Sequence, residues 1–81
     1  MRVQWNNRAI AQRSQIAAYI RQQFGAKRKT RYLQEVRETT QRLKRSPYIG
    51  QIDPLFSDRA RTYRSVIING LNKMVYYIEG D

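Results

Sequence analysis

Lys73-Met74-Val75-Tyr76-Tyr77-Ile78-Glu79-Gly80-Asp81 is the stretch on which the reading of the fold turns. Residues 73–79 are rich in β-branched and aromatic side chains and read as a strand. Asn69-Gly70-Leu71-Asn72 before them is a hairpin turn signal, and residues 62–68 read as the strand entering that turn. Gly80-Asp81 again has turn chemistry and would hand the chain to a further strand. That strand is expected to be missing, so an open sheet edge is expected after residue 79. Unpaired N–H and C=O groups at such an edge call for a cover. A partner's strand and the same strand of a second copy are the two candidates.

Outward from the hairpin, Tyr48 to Arg61 is irregular, with Gly50 and Asp53-Pro54 as turn signals. Ser46-Pro47 ends a helix, because proline disfavours a helical residue before it. That helix fits residues 26–45, with Tyr32, Leu33, Val36, Thr40 and Leu43 as its inward stripe. Gly25 separates it from an earlier helix whose apolar stripe is Ala9, Ile10, Ile16, Ala17, Ile20 and Phe24. Two helices joined so tightly pack as an antiparallel hairpin. Asn6-Asn7 can cap the first helix. Val3 and Trp5 alternate with polar neighbours and suggest a short first strand. The expected class is α+β: a helical hairpin on a small antiparallel sheet, in the order β-α-α-β-β.

The chain has 81 residues, which makes one domain with a small core. It has no cysteine and no histidine, which removes thiolate metal sites, disulfides and the commonest general base. No metal and no cofactor are expected. No apolar run reaches the roughly 18 residues of a membrane span, and the N-terminus is too short and polar for a signal peptide. A cytoplasmic protein with no membrane partner is the simplest reading. The net charge is +10, and all of it lies early. Residues 1–45 hold twelve Lys/Arg against two acids, whereas residues 46–81 hold four against four. A field of that size attracts an acidic protein or a nucleic acid.

The element order, with Val3-x-Trp5 opening the chain, resembles the RelE/ParE toxins of bacterial type II toxin–antitoxin systems, a group that includes plasmid stabilisation proteins. Ala9, Ile16 and Tyr19-Ile20 in the first helix are similar, as are Leu43-x-x-x-Pro47-x-x-Gly50 and Tyr63-Arg64-Ser65. Lys73-Met74-Val75-Tyr76-Tyr77-Ile78 resembles the family's next strand. The likeness covers residues 1–81 as a single toxin domain lacking the family's last strand. It implies a cognate antitoxin partner, and as target either the ribosome with its mRNA, which RelE-like members cleave, or DNA gyrase, which ParE-like members inhibit. Enzyme activity is therefore left open, and a form without the last strand is expected to be inactive as a nuclease.

Three features depart from the family. The last strand and basic tail are absent, no lysine lies in residues 48–57, and Arg13 occupies a place in the first helix's apolar stripe where the family has an aliphatic residue. A charged head there must snorkel, pair, or sit where packing is open.

Arg64 is the residue that the resemblance implies for catalysis, by contact with a scissile phosphate. An arginine suits that task because its planar fork binds phosphate bidentately. Its plain structural alternative is an ion pair with Asp53, Asp58 or Glu79. Arg59, Arg61 and Tyr77 are candidates for nucleic-acid binding, the tyrosine by stacking on a base. Tyr76 and Tyr77 must point to opposite sheet faces. Arg28, Arg31, Arg42 and Arg45 lie on the outer face of the second helix and are candidates for antitoxin docking. A non-catalytic basic nucleic-acid-binding or interaction domain is the alternative to a toxin. Self-association as a homodimer through the open edge is the further expectation.

Overall fold

The computed structural model describes residues 3–68 and 72–79. Helix α1 spans Asn7–Phe24 and helix α2 spans Ala26–Arg45. Strands β1 (Gln51–Ile52), β2 (Arg64–Ile68) and β3 (Asn72–Tyr76) form an antiparallel sheet in the order β1-β2-β3. The class is α+β, with the helical hairpin packed on the sheet.

The caps explain where the helices start and stop. The Asn6 side-chain oxygen accepts from the Ala9 N–H at 2.7 Å, which satisfies one of the free donors of the first turn. Gly25 lies between the helices at φ 95°, a conformation that costs a side-chain-bearing residue strain, and its N–H closes α1 on the Arg21 carbonyl. The same residue opens α2, so the hairpin turns within a single residue.

Ala17, Tyr32, Val36 and Ile68 form the buried core, with Trp5, Ile16, Ile20, Leu33 and Met74 half-buried against it. Leu43 is buried as well. Thr39 rather than Thr40 is the buried threonine of α2. Thr40 instead donates its hydroxyl to the Val36 carbonyl at 2.9 Å. Ile10 and Phe24, expected on the inward stripe of α1, are exposed. Phe24 lies in the final turn of α1, and its ring is covered by the Arg28 guanidinium at 5.3 Å.

Two expected boundaries shift. Residues 3–5 do not join the sheet; the short strand in first position is Gln51–Ile52, from the stretch expected to be irregular. The chain therefore runs α-α-β-β-β among the described residues. The hairpin strands are also shorter than expected, because ladder pairing runs only from Arg64↔Tyr76 to Ile68↔Asn72. The turn at residues 69–71 and the Gly80-Asp81 signal lie outside the described residues. No helix is long and apolar enough to cross a membrane.

Candidate functional site

The register of β2 and β3 sorts their side chains onto two faces. Ile68 points into the core beneath the helices, so Arg64, Val66, Met74 and Tyr76 share its face. Ser65, Ile67, Lys73 and Val75 face the other way, and Tyr63 and Tyr77 continue that side beyond the last ladder pair.

On the helix side, Arg64 and Tyr76 hold the loop between α2 and β1. The Arg64 guanidinium donates to the Gly50 carbonyl at 2.8 Å and lies 5.0 Å from the centre of the Tyr48 ring. The Tyr76 hydroxyl donates to the Pro47 carbonyl at 2.7 Å and accepts from the Gly50 N–H at 3.0 Å. Gly50 must be a glycine here: a Cβ would meet the Tyr76 hydroxyl at 2.6 Å and the Ser65 carbonyl at 2.9 Å. Arg64 takes none of the carboxylate partners expected for it. Asp53 pairs with Lys73, Asp58 with Arg59, and Glu79 with Arg61.

On the far side of the sheet, Asp53 is 3 % exposed and accepts from Lys73 Nζ at 2.6 Å. It also accepts from the Leu55 N–H at 3.0 Å, which starts the 3-10 turn Pro54–Phe56. The Lys73 hydrogen bond and then the Leu55 N–H hold its carboxyl below the usual range; burial opposes them, and a further bond from Ser65 adds to them. This anchors the 3-10 turn over the sheet. Phe56 then packs on Tyr63 at 5.3 Å between ring centres, and Tyr63 meets the edge of Tyr77 at 5.5 Å. Arg61 lies 4.4 Å over the Tyr77 ring and bonds Glu79 at 3.2 Å; that bond above all keeps its guanidinium protonated. Arg59 lies 5.5 Å from the Phe56 ring centre.

The structure thus brings together Arg59, Arg61 and Tyr77 but sets Arg64 on the opposite face. Phe56, Tyr63 and the Asp53–Lys73 pair belong to the same outer cluster and were not singled out by sequence reasoning. Alternation along 63, 65, 67 and 73, 75, 77 is the signal that would have joined the two tyrosines, once the hairpin register was known. Arg28, Arg31, Arg42 and Arg45 are all exposed along α2. Arg31 pairs with Glu35 one turn on at 3.5 Å, and Arg42 and Arg45 lie in the last turn, where cations suit the helix dipole.

A groove of about 950 Å³ separates the segment at residues 3–6 and the adjoining face of α1 from β3. Trp5, Arg13 and Ile16 line one wall, and Met74, Val75 and Tyr76 line the other.

Two helices leading into this antiparallel sheet match a known family along nearly the whole chain. The family model for the ParE toxin of type II toxin–antitoxin systems, parDE, matches residues 3–80. The chain belongs to the ParE toxin family. No curated protein and no solved structure matches it significantly. Membership of the ParE family makes this chain a toxin-type subunit and implies an antitoxin as its partner. Within that ParE frame, the geometry above shows an arginine used as a loop strut and a separate aromatic–basic cluster on the outer face of the sheet.

Proposed function

We propose that this chain is the toxin of a ParDE-type pair that arrests growth by binding its target, DNA gyrase, rather than by cutting mRNA. The observation that carries this reading is the commitment of Arg64. Its guanidinium holds the Gly50 carbonyl at 2.8 Å on the face away from Arg59, Arg61 and Tyr77. A phosphate-cleaving site needs its cation and its proton-transfer groups around one atom. These side chains do not converge, the chain has no histidine, and residues 48–57 contain no lysine. Inhibition by occupancy needs no such convergence. A cognate acidic antitoxin would neutralise the toxin by covering the basic outer face of α2 around Arg28, Arg31, Arg42 and Arg45.

A second reading has its own observation. Arg59 and Arg61 beside Phe56, Tyr63 and Tyr77 make an aromatic–basic face of the kind that stacks bases. It supports contact with nucleic acid without cleavage.

Induced expression in a bacterial host separates these readings when plasmid supercoiling, mRNA integrity and growth are followed together. Loss of supercoiling with intact mRNA is the expected result. Cleaved mRNA with normal supercoiling would sink the proposal in favour of a nuclease.

A further inference from the structure

Arg13 is a cation that the fold leaves without a counter-charge. It projects from the apolar stripe of α1, is half-buried, and lies 4.7 Å over the Trp5 ring. Among the described residues no carboxylate lies within ion-pairing distance of it. Glu35, Asp53, Asp58 and Glu79 are paired with Arg31, Lys73, Arg59 and Arg61, and Glu38 is exposed on α2. Taking a guanidinium partly out of water is costly, and an indole face offsets only a part of that.

The surroundings of Arg13 specify what would complete it. It lines the groove that faces β3, and β3 is an edge strand among the described residues, with β2 on its one paired side. The groove therefore offers backbone donors and acceptors along β3, apolar walls at Trp5, Ile16, Met74 and Val75, and one unpaired cation. An extended peptide with alternating apolar side chains and a carboxylate meets all three demands at once. A nucleic acid would leave the strand edge and the apolar walls unused. A second copy would bring the same +10 charge and few carboxylates not already paired.

We infer that Arg13 is a specificity-determining anchor for the antitoxin: an extended, acid-bearing segment of that partner lies in the groove along β3 with a carboxylate on the Arg13 guanidinium. This rests on the reading of the chain as a toxin with a protein antitoxin. A partner without an acid at that point would leave the cation desolvated and alone, so the groove selects against it.

The test uses the full 81-residue chain and, as probe, the acidic protein encoded beside its gene. Affinities of the wild type, Arg13→Leu and Arg13→Lys are measured by titration calorimetry, with thermal unfolding of each free protein and amide exchange of the free and bound wild type. Arg13→Leu is expected to unfold at the same or a higher temperature, since an unpaired, partly buried charge is replaced by an apolar side chain. It is expected to bind about 10- to 100-fold more weakly, with Arg13→Lys in between. Amides of residues 73–77 gain protection in the complex. One Asp or Glu of the partner, changed to Gln, weakens binding to the wild type but not to Arg13→Leu. Wild-type affinity in Arg13→Leu, or no protection of β3 in the complex, overturns the inference while the antitoxin reading stands. Protection of β3 in the free protein assigns the groove to this chain or a second copy and also overturns it. If the wild type itself fails to bind the probe, the antitoxin reading falls and this inference with it.

Discussion

The Tyr76 hydroxyl donates to the Pro47 carbonyl at 2.7 Å across 29 positions of sequence, tying the last turn of β3 to the exit of α2. The same oxygen accepts from the Gly50 N–H, so a single side chain fixes both ends of the Pro47–Gly50 loop.

Tyr76→Phe removes both bonds and leaves the Pro47 carbonyl and the Gly50 N–H to find other partners. We expect a loss of about 1–3 kcal/mol. For a domain of this size each kcal/mol lowers Tm by about 4–8 °C, so circular dichroism melts resolve it. An unchanged Tm would show that water replaces the hydroxyl at no cost.

Gly50→Ala pushes a methyl group to within 2.6 Å of the Tyr76 hydroxyl and 2.9 Å of the Ser65 carbonyl. The expected cost is about 1–3 kcal/mol from overpacking. In a Tyr76→Phe background part of the crowding disappears, so a double-mutant cycle in denaturant should show non-additivity. Strict additivity would place the strain elsewhere.

Asp53 makes stability depend on acid. Its folded-state carboxyl lies below the ordinary value because Lys73 and then the Leu55 N–H favour the charged form. The sign follows from linkage: stability from this group is fully present above its unfolded value, near pH 4, and is lost as pH falls through the depressed folded value. Asp53→Asn should flatten the acid limb of a Tm-against-pH curve below about pH 4 and lower the plateau at neutral pH. A limb of unchanged steepness would assign the acid sensitivity to other carboxylates.

Arg64→Lys separates strut from catalyst. Lysine keeps the charge but loses the fork and the overlap with Tyr48. A fall in stability of about 1 kcal/mol is expected, with growth arrest at low temperature retained. Arrest abolished in a variant that stays folded would mark Arg64 as part of the reacting site.

Exposed Arg61→Ala is expected to change stability by less than about 1 kcal/mol, because its pair with Glu79 is solvent-screened. A larger loss in thermal melts would mean that its place over Tyr77 does more than the ion pair.

The helical hairpin was legible in sequence because its signals are local. Asn6, Gly25 and Pro47 mark the ends, and a 3.6-residue period marks the buried faces of α1 and α2. The basic first half and the family likeness were legible for the same reason: composition and motif order need no contacts. Residues 3–5 misled, because alternation describes a side-chain pattern and says nothing of whether a strand lies beside it. Arg64 was equally opaque. The sequence offered three carboxylates for it, and the folded chain gave each to another cation and gave Arg64 a backbone carbonyl. The union of Asp53 with Lys73, and of Phe56 with Tyr63 and Tyr77, was likewise decided only by the fold. By itself the sequence determined elements, charge and family, since these follow from neighbours along the chain. Only the tertiary structure decided partners, because a one-residue change of strand register exchanges the two faces of the sheet and every contact made on them.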